Sequence, residues 1–195
     1  VLFFTLKTIM KHLLLFFALI TSLSGCITIN DINQDLRKVD EVWLSEINKL
    51  PKDLLKRTIN TPYSQAFPAV KKTFVSLNMP ITKESSDKGF ILSRNKSPNP
   101  LTASQWDEVR EMENDKLSEI SWMITIAEEP DEQYVTIKAA IKELNDQSTI
   151  SLSYYLDAPK MEDMGLVPMT QAPPHAVKLL ANIFWKELEQ NLPTQ

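Results

Sequence analysis

The chain has 195 residues, 43% hydrophobic and 24% charged, with 21 Lys and Arg against 25 Asp and Glu for a net charge of −4. That is an ordinary globular balance. Its three glycines (Gly25, Gly89 and Gly165) lie far apart, which excludes a dinucleotide fingerprint or a P-loop, since both need closely spaced glycines to bring backbone against phosphate. Two histidines and a single cysteine likewise exclude a zinc finger, a thiol–histidine cluster and a disulfide framework.

Lys11 and His12 precede eight unbroken apolar residues, Leu13 to Ile20, and Thr21-Ser22-Leu23-Ser24-Gly25-Cys26 follows. A basic start, a short apolar core and a small-residue end predict a secretory signal. The run is too short for a bilayer span of about 20 residues. Val1 to Ile9 adds an apolar piece upstream, and Met10 is the expected start of translation.

Leu23-Ser24-Gly25-Cys26 resembles the lipobox of bacterial lipoproteins. The resemblance implies that the Cys26 thiol is diacylated, that cleavage falls just before it, and that the new amino end is acylated. Three acyl chains, at about 0.8 kcal/mol per buried methylene, make membrane attachment effectively permanent. Residue 27 is Ile, not the Asp that in such lipoproteins retains the chain at the inner membrane. The resemblance therefore implies the inner leaflet of the outer membrane, facing the periplasm. Cleavage leaves 170 residues and removes Lys7 and Lys11, so 19 basic side chains face 25 acidic ones, net −6. An acidic body repels nucleic acid and anionic headgroups. The expected membrane contact is through the acyl chains on Cys26, with no nucleic-acid partner.

Ile32, Leu36, Val39, Trp43, Ile47 and Leu50 are spaced 4, 3, 4, 4 and 3, one stripe of an amphipathic helix. Asp31 with Gln34 reads as its capping box, and Pro51 ends it. The stripe either packs on the domain or presents Trp43 to a partner. Lys52 to Thr61 reads as a short polar connection. Phe67, Val70, Phe74 and Leu77 mark a second helix, with Pro68 placed in its first turn, where a missing N–H costs little.

Residues 80–84 and 89–93 flank Ser85-Ser86-Asp87-Lys88, which predicts a hairpin whose positive φ falls on Gly89. Asn95 to Thr102 is a loop. Thr102 and Gln105 cap a short helix through Glu113, with Trp106, Val109 and Met112 on one side. Three alternating stretches then predict strands: Ile120/Trp122/Ile124/Ile126, Val135/Ile137/Ala139/Ile141 and Ile150/Leu152/Tyr154/Leu156. Period two with one apolar face indicates antiparallel strands backed by helices. Asp157 to Pro174 is a loop of about 18 residues, a length that is usually functional or disordered. Pro173-Pro174 opens a last helix with Val177, Leu180, Ile183, Phe184 and Leu188 inward.

Ala66-Phe67-x-x-Val70, Leu77, Pro80-Ile81 and Asp87-x-Gly89-Phe90-Ile91 look like the opening of a BamC-like domain. The resemblance implies a helix leading into a hairpin with a D-x-G-x-I turn, and a sheet gripped by the last helix. BamC-type proteins carry two such domains; this chain has room for one. The expected class is α+β, two-layer, with an antiparallel sheet of about five strands and the 65–78 and 175–191 helices on one face. The expected divisions are a signal over 1–25, a lipidated tether and helix over 26–61, and the domain over 62–195.

His175 opens a predicted helix with no nucleophile motif beside Asp157, Glu162 or Asp163, and reads as a surface or capping histidine. The Glu111/Glu113/Asp115, Glu128-Glu129 and Asp131-Glu132 carboxylates read as solvated charge. No catalytic residue, metal site or cofactor is expected. Met161, Met164 and Met169 either fold back as a lid or form an adaptable apolar surface. With Trp43 they are the candidate partner surface. The expected function is a non-enzymatic accessory or scaffold subunit of an envelope assembly, in outer-membrane biogenesis or secretion, docking envelope proteins. The alternative is a carrier of lipid or another small hydrophobic ligand in a helix–sheet cavity of about 300 Å³ or more.

Overall fold

A computed structural model describes residues 27–126 and 133–193. Leu23, Ser24, Gly25 and Cys26 lie outside the described residues, as do the carboxylates at 128–132.

The elements in chain order are α1 (Ile29–Ile47), α2 (Lys52–Leu55), β1 (Lys56–Ile59), α3 (Tyr63–Ser76), β2 (Ile81–Ser85), β3 (Phe90–Lys96), α4 (Ala103–Ile120), β4 (Tyr134–Leu144), β5 (Gln147–Asp157), α5 (Pro159–Asp163) and α6 (Pro174–Asn191). The strands form one antiparallel sheet in the order β1-β5-β4-β3-β2. The α+β class and the five-stranded antiparallel sheet are therefore as the alternation predicts.

The longest ladder is β4–β5, paired from Tyr134↔Asp157 to Leu144↔Gln147. Asn145 and Asp146 join them, both at positive φ (49° and 63°). Such a two-residue turn matches the twist of the strands it links, and Asn and Asp tolerate it. The β2–β3 hairpin turns at Gly89, φ +62°, as its sequence predicts. Val135, Ile137, Ala139 and Ile141 alternate in burial with exposed Lys138 and Lys142, so one face is core and the other meets water.

Helices α3 and α6 cover the buried face, with Phe74 and Phe184 at 5.4 Å between ring centroids and Phe184 edge-on to Trp185 at 5.3 Å. Helix α3 starts earlier than its apolar spacing predicts. Pro62 caps it, and Ala66, Ala69, Val70, Thr73 and Phe74 are its buried residues, while Phe67 is half-buried. Pro68 consequently sits inside the helix rather than in its first turn. It lies on the exposed side, where the carbonyl it leaves unpaired is open to water.

Helix α1 buries Leu36, Val39 and Trp43 against α6. Its cap is Thr28, not Asp31: the Asp31 amide donates to Thr28 Oγ1 (3.3 Å) and the Thr28 amide to Asp31 Oδ2 (2.8 Å). The Thr28 backbone N–H first, and then the Thr28 hydroxyl donating to Oδ2 at 2.8 Å, hold the Asp31 carboxyl below its usual range. A carboxyl lowered on folding stabilises at neutral pH, and that contribution is lost as pH falls through its folded pKa.

Two strand expectations fail. The fifth strand is not 120–126, because α4 runs on to Ile120, seven residues past its predicted end at Glu113. Residues 121–126 follow as turn and irregular chain, and the Ile126 amide donates to Asn114 Oδ1 of α4 (2.9 Å) instead of to a neighbouring strand. The fifth strand is β1, inside the stretch that reads as a polar connection, paired with Ser148–Ser151 of β5.

Candidate functional site

The methionine loop does not hang free. It lies along α1 as a strap. Asn33 donates through Nδ2 to Gly165 O (3.1 Å) and accepts through Oδ1 from the Val167 amide (2.7 Å). Two helical turns on, the Asp40 carboxylate accepts from the Thr170 amide, the Thr170 hydroxyl and the Gln171 amide at 2.7–3.0 Å. Residues seven apart share a helix face, so one flank of α1 holds both ends of the strap.

The structure separates the four candidate partner residues. Trp43 is 2% exposed and belongs to the core, because it continues the Leu36–Val39 stripe onto α6. Met161 and Met169 are half-buried against that core. Met164 alone projects, 66% exposed. Among the described residues the most exposed large apolar side chain lies in a stretch whose sequence predicts a strand, Trp122 at 76%. It follows Ser121, which with Lys38 holds the Asp35 carboxyl of α1 below its ordinary range, Lys38 contributing more. Trp122 therefore sits on the α4 flank of α1 and Met164 next to the strap on the other. Ile27 and Ile29 are exposed at the start of the same helix.

A polar junction joins α1, α4 and α6. Glu113 is 1% exposed, contrary to its reading as solvated charge. Trp106, Val109, Glu113 and Leu117 form the buried stripe of α4, and Met112 points out. Helix α6 begins at Pro173-Pro174 with no side-chain cap of its own. The Glu113 carboxylate supplies one, accepting from the His175 amide at 2.9 Å, where the dipole favours an anion. Lys116 bridges Glu46 of α1 at 2.9 Å and Glu113 at 3.7 Å. Its ammonium is held above the usual lysine pKa, chiefly by the hydrogen bond to Glu46. The stabilisation is thus complete below the unfolded pKa and is lost as pH rises through the folded one. His175 Nε2 lies 2.8 Å from Glu108 Oε1, not beside Asp157, which forms a two-pronged pair with Arg94 at 2.8–3.1 Å. The groups around His175 cap and tie helices together, and a surface hollow of about 370 Å³ opens beside them.

Glu113→Ala is expected to lower stability by about 2–3 kcal/mol, because it strands the part-buried His175 N–H and removes one of the two carboxylates on Lys116. Glu113→Gln keeps an acceptor for His175 and should cost less than the alanine variant. Urea denaturation midpoints of the two variants check the order.

Among the described residues no group of three His, Cys, Asp or Glu side chains could hold a metal ion, and no helix is long and apolar enough to cross a membrane. No family model matches the chain, and no curated protein matches it.

Proposed function

We propose that the chain is a membrane-anchored, periplasm-facing lipoprotein that acts as a non-enzymatic accessory subunit of an envelope assembly, in outer-membrane biogenesis or secretion. Lipidation at Cys26 fixes it to the inner leaflet of the outer membrane. The observation that carries the docking role is Trp122, 76% exposed beside α1. A tryptophan left in water on a folded domain is the kind of side chain that anchors interfaces. Ile27 and Ile29 at the start of α1, and Met164 on its opposite flank, are further exposed apolar side chains along the same helix. The BamC-like resemblance is supported by the order α3, the β2–β3 hairpin with its Asp87-x-Gly89 turn, and the closing helix α6. The carrier alternative draws less support, since side chains of α3 and α6 fill the inner face of the sheet.

Cys26→Ser is expected to leave an uncleaved, unlipidated precursor that leaves the membrane fraction; a membrane fraction unchanged by it would refute the anchor. Crosslinking in the native envelope is expected to give discrete partner adducts. Trp122→Ser with Met164→Ser should cut them about tenfold without moving the thermal midpoint. Recovery of the chain alone with co-purified lipid would overturn the scaffold in favour of the carrier.

A further inference from the structure

The ladder β1–β5 stops at Lys56↔Ser151, because the chain before Lys56 turns away into α2. Beyond that point β5 continues for six residues, Leu152–Asp157, paired on the β4 side only. Backbone direction follows from the register. The Ile141 amide donates to Gly89 O (2.7 Å), so Ile141 turns its backbone groups toward β3. Ile141 stands opposite Ile150, and groups alternate along a strand. Ile150, Leu152, Tyr154 and Leu156 therefore turn their N–H and C=O toward the β1 side. At Tyr154 and Leu156 that side holds no strand.

A hollow of about 270 Å³ runs along this edge. Four consecutive β5 residues line it, Leu152, Ser153, Tyr154 and Tyr155. A pocket on a sheet face would touch alternate residues only, so this one follows the strand's margin. Leu44 and Ile47 of α1, Leu55 and Val177 of α6 form its apolar wall, and Gln171 completes the lining. The Tyr154 hydroxyl is buried and makes no hydrogen bond.

We propose that the margin of β5 over Leu152–Asp157 receives an extended peptide segment of a partner protein as an added strand, in line with β1, with an apolar side chain in the hollow. This names the partner chemistry for the scaffold reading and rests on it. An acyl chain fits less well, because it offers nothing to the backbone groups of Tyr154 and Leu156. Exposed Lys52 and Lys56, unpaired by any acidic side chain among the described residues, stand where β1 begins and favour a segment that carries an acidic residue. Strand addition of this kind takes affinity from the main chain and specificity from alternate side chains.

The test uses the full chain in detergent and a phage-displayed random peptide library. Selected peptides are expected to alternate apolar with polar or acidic residues, and to slow hydrogen exchange of the Tyr154 and Leu156 amides about tenfold. Leu44→Glu, at an exposed position, should weaken them about tenfold with the thermal midpoint unchanged, and N-methylation of the peptide backbone at alternate positions should abolish binding. No enrichment, protection elsewhere, or indifference to N-methylation overturns the added strand. The envelope crosslinking through Trp122 and Met164 judges the scaffold separately, so adducts there with no protection of β5 defeat this inference alone.

Discussion

Trp43→Ala is expected to lower the stability of the protein by about 3–5 kcal/mol, the range for emptying a buried large aromatic site. The side chain is 2% exposed and sits where α1 meets α6, so its removal leaves a void between two helices. The matching substitution at Trp122, 76% exposed, should stay within about 0.5 kcal/mol, as surface positions do. Urea midpoints for the pair, together with partner recovery, separate the two tryptophans: Trp43→Ala loses stability, and Trp122→Ala loses partners. A stable Trp43→Ala protein that no longer recovers partners would place Trp43 back on the interaction surface.

Gly89→Ala is the other severe substitution. Gly89 has φ +62°, and a Cβ there would lie 2.2 Å from Ile141 O, a backbone atom in the middle of β4. The left-handed conformation alone costs a residue with a Cβ about 1–2 kcal/mol. The contact cannot be relieved by turning a side chain, so β3 must shift against β4 and loosen the Ile141 N to Gly89 O bond. A total loss of about 3–5 kcal/mol is expected. Gly89→Asn tests the partition, since asparagine accepts the φ but still carries the Cβ. It should recover only the conformational part, and full recovery would show that the Ile141 contact is harmless. Lys88→Ala, one position earlier in the same turn, should be near neutral.

The features legible in the sequence are those fixed by neighbours in the chain. The β4 and β5 alternations, the Asp87-x-Gly89 turn and the α6 stripe each carry their own local signal, and each is where its pattern places it. The failures come from long-range partners. Lys56-Arg57-Thr58-Ile59 has no strand signal; it becomes β1 because β5 offers a margin and α6 holds it there. Trp185 donates to Leu54 O at 2.6 Å, and Arg57 lies over the Trp185 ring at 4.8 Å. The 120–126 alternation survives in burial only at Ile124 and Ile126, with Thr125 exposed between them; Trp122, which belongs to the same predicted face, is outside, and Asn114 takes the hydrogen bond a strand would have needed. Glu113 did leave a trace: it falls four residues after Val109 and four before Leu117 on the buried stripe. Only the uncapped start of α6, distant in sequence, explains a carboxylate there. Among the candidate partner residues the sequence does not distinguish Met164 from Met161, Met169 or Trp43, and only burial sets it apart, whereas Trp122 falls in the stretch whose alternation reads as a strand.

The strap gives the amino end of the molecule a defined load path. A pull applied at residue 27 acts along α1, and it meets in turn the Thr28–Asp31 box, the Asn33 bonds to Gly165 and Val167, and the Asp40 bonds to Thr170 and Gln171 before it reaches Trp43. The Asn33 and Asp40 ties hand force to the segment between β5 and α6, so tension enters the sheet through its longest ladder rather than through the four-residue β1. Asp40→Ala should therefore shorten this series by one link, and in single-molecule stretching from residue 27 the helix should peel away at lower force while the β4–β5 hairpin yields at the same force as before.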